Sequence, residues 1–187
     1  MFRENGANYF NPDEAARKII EASPEISAID ANIAAWQEGK QLLERAISEH
    51  LNYAFETTLG GETITGLLEK AISAGIEVWV WYVGLSSLDL CIARVKARVA
   101  AGGHPIPEAK IRERYIKSPL NLIRLLPRVT KLLVFDNSAE GNPRDGKRPQ
   151  PQLILDVEHG HAVRFCDLRC APEWAKPILT IALKLPA

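Results

Sequence analysis

Residues 76–101 read IEVWVWYVGLSSLDLCIARVKARVAA. The first ten are almost all β-branched, aromatic or aliphatic, the composition of a buried strand. From Leu88 the spacing changes, and Leu88, Ile92, Val95 and Val99 recur at helical intervals as one apolar stripe. A strand that passes directly into a helix is half of a βαβ unit, and such units build parallel sheets.

Working outward, a Gly102-Gly103-His104-Pro105 loop separates this helix from a second one, PEAKIRERYI (107–116), with Pro107 at its first turn. KLLVFDNS (131–138) reads as another strand, QLILDVEHGHAVRFC (152–166) as a hairpin, and a last helix spans roughly 171–182. Upstream, AIDANIAAWQEGKQLLERAISEHL (28–51) has helical periodicity with Asp30 as its N-cap. NYAFETTL (52–59) follows as a strand, then a turn at Gly60-Gly61 and a helix across TITGLLEKAISAG that Gly75 closes. The pattern predicts an α/β fold. Strands at 52–58, 76–83 and 131–136 should lie parallel in one sheet covered on both faces.

The 187 residues suit one domain with a full core. Lys and Arg number 23 and Asp and Glu 23, so the basic excess of a nucleic-acid binder is missing. Cys91, Cys166 and Cys170 form no C-x-x-C pair, which suits buried thiols in a reducing cytoplasm rather than a zinc site or a disulfide framework. No apolar run approaches the ~18 residues of a membrane span, and MFRENGANYF has no signal-peptide core. The expectation is a cytoplasmic protein that binds neither nucleic acid nor membrane.

In open α/β sheets, ligands bind beyond the carboxyl ends of the strands. Three stretches put polar residues there. NPDEAA brings Asp13 to a helix start, where it either accepts a proton from a hydroxyl or caps the helix. FETT brings Glu56, Thr57 and Thr58 to the end of a strand, as a binding cluster or a turn. FDNS does the same with Asp136, Asn137 and Ser138, and here a turn is expected. Arg94 and Arg98 share a helical face, and Arg112 and Arg114 follow the glycine pair. They read either as a solvated face, with Arg112 paired to Glu108, or as a clamp that closes over an anion on a glycine hinge. His159 and His161 flank a hairpin glycine and read as turn residues, so no metal site is assigned.

FNPDEAA, YAFETTL, ARVKARVAAGGHPIPEAKIRERY and FDNS occur in the order found in the zeta-toxin-like kinases, a branch of the P-loop kinases that this chain resembles from about residue 8 to residue 138. The resemblance implies a three-layer, mostly parallel P-loop kinase-like fold with a helical lid at about 87–126, followed by a β-hairpin and a helix. It implies phosphoryl transfer from ATP or GTP with Mg²⁺ to a hydroxyl of a small acceptor, a nucleotide sugar such as UDP-N-acetylglucosamine in the best-known members. Asp13 would activate the acceptor hydroxyl, with Arg98 and Arg112 as catalytic lid arginines. Glu56, Thr57 and Thr58 would bind the acceptor, and Arg94, His104 and Arg114 would complete the lid. His104 sits where such toxins carry an arginine. An antitoxin protein is the implied partner.

One part of the pattern is missing. G-x-x-x-x-G-K-[ST], whose amides and lysine hold nucleotide phosphates, does not occur. GNPRDGKR (141–148) imitates it, but Arg148 replaces the magnesium-binding hydroxyl and Pro149 and Pro151 forbid the helix that should follow. The chain is therefore read as truncated ahead of its first strand, with two expectations. It is an inactive or partial kinase that associates with itself through the exposed sheet, or a non-catalytic remnant that binds the acceptor or a partner protein.

Overall fold

The computed structural model describes residues 8–139 and 150–185. The GNPRDGKR segment lies outside them. The chain divides into two compact units. One runs through Thr58 and takes up Glu62–Ile76, and the other comprises Leu59–Gly61 and the chain from Glu77 onward.

In the first unit, β1 (Asn8–Phe10) pairs in parallel with β2 (Tyr53–Phe55). Between them lie α1 (Pro12–Ala22) and α2 (Ala28–Glu49), and α3 (Glu62–Ser73) follows β2. The helices bury small residues and leucines: Ala31 and Ala35 are fully buried, with Leu43, Leu67, Leu68 and Ala71 close behind. Ser27, rather than Asp30, caps α2. Its hydroxyl accepts the Asp30 N–H at 3.1 Å and donates to the Asp30 carboxylate at 2.6 Å. Both residue types suit the cap, and the one three places earlier reaches the free amide. Gly75 closes α3 as expected, with φ at +78° and Ile76 N–H bonding back to Ala71 O.

In the second unit, β3 (Trp79–Gly84) leads into α4 (Leu88–Ala100), and α5 (Glu108–Leu125) leads into β4 (Lys131–Asp136). β5 (Gln152–Glu158) and β6 (His161–Phe165) form the predicted hairpin, and a 3-10 turn (Glu173–Ala175) opens into α6 (Lys176–Ala182). Strand order is β3-β4-β5-β6, with β3 and β4 parallel and the other two pairings antiparallel. The hairpin turns on His159 and Gly160, both at positive φ, the geometry a two-residue turn requires. Leu122, Leu125 and Leu126 bury fully with Leu132, Val134, Val157, Ile178 and Leu179. At about 1.5–3 kcal/mol for each fully buried aliphatic side chain, this cluster dominates the unit's stability. It also carries α5 through Pro119 to Leu125.

The α/β class holds, but the single sheet does not. The strands at 76–83 and 131–136 are parallel neighbours as expected, whereas β2 bonds to β1 in a separate two-stranded sheet. The larger sheet is mixed because the hairpin joins β4 antiparallel. Among the described residues, β3 is not covered on both faces. Val80 and Tyr82 share a face with the buried Leu132 and Val134, while Trp79, Trp81 and Val83 on the opposite face remain about half exposed.

Candidate functional site

The local sequence around β1 and β2 builds a polar cluster at their shared carboxyl end. Glu56 N–H donates to Phe10 O at 3.2 Å, extending the parallel ladder by one bond. Asn11 then serves two elements at once. Its Oδ1 accepts the N–H groups of Asp13 and Glu14, at 2.8 and 3.2 Å, and caps α1, with Pro12 preset for the first helical position. Its Nδ2 donates to Glu56 Oε2 at 3.0 Å. The Tyr9 hydroxyl donates to Glu56 Oε1. Both carboxylate oxygens are thereby held, which orients Glu56, and each oxygen keeps a further acceptor lone pair. The bond to Glu56, followed by burial, pushes the Tyr9 phenol pKa up, because a carboxylate acceptor stabilises the neutral phenol.

Asp13 is thus not the cap. It is exposed at the second position of α1, where the free amides of the helix start favour a negative charge. Thr57 and Thr58 continue from Glu56 as exposed loop residues. The first unit therefore brings Asp13 and Glu56 to the same end of one parallel strand pair through Asn11.

The arginines belong to the second unit. Ser87 caps α4 by accepting the Leu90 N–H at 3.1 Å. The other end of α4 explains the glycine pair. Gly103 N–H bonds to Arg98 O at 2.9 Å and Gly102 N–H to Val99 O at 3.0 Å, with Gly102 at φ +93°. This is a Schellman closure, and it needs a residue that accepts positive φ. At Gly103 a Cβ would stand 2.8 Å from Arg98 Cγ and 2.9 Å from Arg98 O. Both glycines therefore have a helix-ending role beside any hinge role.

Arg94 donates to Ala139 O at 3.4 Å, Arg98 is exposed at the last turn of α4, and His104 is half-buried just after it. Arg112 makes the i,i+4 pair with Glu108, through Nε at 2.9 Å and Nη2 at 2.5 Å. Arg114 leaves α5 about 200° around the helix from Arg112, and its Cβ and Cγ lie over Gly60. Two positions apart on a helix, Arg112 and Arg114 leave α5 on opposite sides. Between α4 and α5 lies an open groove of about 370 Å³, lined by Ile92, Val95, Val99, Pro105, Ile106 and Ile111. Farther along α5, buried Asn121 donates to Leu59 O at 2.9 Å, and Leu59 carries a positive φ of +50°.

At FDNS the side chains of Ser138 and Asp136 bond to one another, and Asn137 N–H donates to Gly84 O at 3.0 Å. That extends the β3–β4 ladder by one bond, so the turn expected there is not formed over Asn137–Ala139; the polar side chains bond to one another beyond the strand end instead. His159 and His161 lie at the hairpin turn. Among the described residues no group of three or more His, Cys, Asp or Glu side chains is placed to hold a metal ion.

No protein-family model matches the chain, and no solved structure matches it. A protein of Haemophilus influenzae, described as an uncharacterized protein, is 33% identical over 103 residues, covering 55% of this chain and 71% of the relative. The chain belongs to that protein's family. The Haemophilus influenzae family brings no stated activity with it, so the chemistry rests on the geometry.

Three side chains in that geometry escaped the reading of the sequence. Asn11 was legible, since Asn-Pro-Asp is a helix-start signature. Tyr9 and Trp174 were not, because their partners Glu56 and Asp136 are 47 and 38 residues away.

Proposed function

We propose that this chain carries the acceptor-binding and lid portion of a P-loop kinase-like phosphotransferase, moving a phosphoryl group from ATP or GTP to a hydroxyl of a small acceptor such as a nucleotide sugar. The observation that carries the reading is the Glu56 clamp. A carboxylate held by Tyr9 and Asn11 at the end of a parallel strand pair, one helix start away from Asp13, is an arrangement for binding and deprotonating a hydroxyl. Glu56 orients the acceptor through its remaining acceptor lone pairs, aided by the Thr57 and Thr58 hydroxyls. Asp13 takes the hydroxyl proton as the acceptor oxygen bonds to the γ-phosphorus and the bond from that phosphorus to the bridging oxygen breaks, releasing the nucleoside diphosphate. The second unit carries the basic side chains that the resemblance assigns to a lid, Arg94, Arg98, Arg112, Arg114 and His104, of which Arg112 is paired with Glu108.

Among the described residues no group of three or more His, Cys, Asp or Glu side chains is placed to hold a metal ion, and the sequence holds no G-x-x-x-x-G-K-[ST] phosphate loop. The same absence favours a second reading, a non-catalytic protein that retains the acceptor pocket. Cytoplasmic location, an antitoxin partner and self-association through the larger sheet belong to the proposal too. Among the described residues, no helix is long and apolar enough to cross a membrane.

Calorimetry of residues 1–187 with UDP-N-acetylglucosamine tests the acceptor half. Binding that weakens about tenfold or more on Glu56→Ala supports it, in line with losing hydrogen bonds to a charged group. Binding indifferent to Glu56 sinks it. In a form that transfers phosphate, normal turnover after Asp13→Ala would show that the assigned base is wrong.

A further inference from the structure

The carboxyl ends of β3 and β4 carry a polar relay that none of the assigned site residues uses. Gly84 and Asp136 are register partners and the last residues of their strands. Asp136 Oδ1 accepts the Trp174 indole N–H at 3.2 Å and also the Ser138 hydroxyl. Ser138 Oγ in turn accepts the Ser86 N–H at 2.7 Å. The next residue, Ser87, caps α4. A chain of hydrogen bonds thus leads from the 3-10 turn near the C-terminus to Ser86, the residue just before the cap of the helix that bears Arg94 and Arg98.

Packing reinforces the relay. The Trp174 ring lies directly over Gly84, where an added Cβ would stand 2.3–2.5 Å from three ring carbons. α4 itself has a single buried residue, Ile92. Apolar burial therefore grips this helix weakly, and contacts at its N-terminus have a large say in the direction it takes.

We propose that Trp174, Asp136 and Ser138 are positioning residues that set how α4, with its two arginines, leaves the sheet. The importance of those arginines rests on the phosphoryl-transfer reading; the relay itself does not. Asp136 acts here by geometry rather than by charge, since both donors land on one oxygen and a carboxamide oxygen has the two lone pairs to accept both. Ser138 acts as donor and acceptor together, which only a hydroxyl does at that size.

Amide hydrogen exchange of the full chain, followed by NMR, tests this with four variants. Ser138→Ala should speed exchange of the Ser86 amide by about tenfold or more, since that amide loses its acceptor. The amides of Leu132–Val134 should keep their rates. Trp174→Phe, which keeps a ring over Gly84 but removes the indole donor, should speed the Ser86–Leu90 segment by a smaller factor, about threefold. Asp136→Asn should behave as wild type and Asp136→Ala should not. Unchanged Ser86 exchange in Ser138→Ala overturns the proposal, as does acceleration spread evenly through β4, the mark of general destabilisation. So does an Asp136→Asn protein as fast as Asp136→Ala. Should Asp136→Ala fail to fold, Ser138→Ala and Asp136→Asn still decide. No substrate enters the measurement, so its outcome is separate from any assay of phosphoryl transfer.

Discussion

At the scale of single residues, Glu56 shows how much a side chain's meaning depends on its partners. In sequence it is one polar residue closing a strand; in the fold both oxygens are engaged, and its neighbour Tyr9 is altered in turn. Because the bond to Glu56 is the first cause of the raised Tyr9 pKa, Glu56→Gln should bring that phenol back toward its ordinary value. A ¹³C NMR titration of the tyrosine ring carbons checks this, and an unmoved Tyr9 would mean the clamp does not persist in solution. Tyr53 gives a second, independent titration. Burial pushes its pKa up to about 12. The folded state then holds the phenol proton more tightly than the unfolded chain does, at about 10. Tyr53's share of stability is complete below pH ~10 and is lost as pH rises toward 12. Alkaline denaturation should therefore flatten in Tyr53→Phe relative to wild type over that window.

At the scale of elements, the helices obey rules that local sequence spells out. Asn11-Pro12 starts α1, Ser27 starts α2, and Gly75 and Gly102 end α3 and α4 at positive φ. Ion pairs within α5 follow the same spacing. Glu113 takes both Lys110 and Lys117 at 2.8 Å, and those hydrogen bonds hold its carboxyl well down, at about 2. The group is exposed, so this shapes the helix's charge pattern more than its stability. Gly84 is different, because nothing local asks for glycine there. The demand comes from Trp174, ninety residues onward. Gly84→Ala should cost about 1–3 kcal/mol through overpacking, read as a lower midpoint in urea unfolding. Gly66, with open space around its Cβ position, is the control: Gly66→Ala inside α3 should stabilise by up to about 1 kcal/mol.

At the scale of the whole molecule, the chain has two compact units, and its candidate residues are shared out between them: Asp13, Glu56, Thr57 and Thr58 in one, the arginines and His104 in the other. Residues 1–187 contain no G-x-x-x-x-G-K-[ST], so calorimetry with ATP should give no tight binding; a submicromolar complex would show that nucleotide is held by other means. The sequence by itself determined the kind and order of nearly every element from α1 to α6, because helix periodicity, caps and glycine stops act within a few residues. The apolar runs of β3 and β4 with helical sequence between them also pointed to a parallel pair, as is found. Only the tertiary structure decided which strands are neighbours. β2 reads as well beside β3 as beside β1, and a hydrogen-bond ladder carries no local mark of its partner. Only the tertiary structure decided, too, that Tyr9 and Asn11 grip Glu56 and that Trp174 reaches Asp136. Those contacts join residues far apart in the chain, and their free energy depends on distances that backbone packing sets.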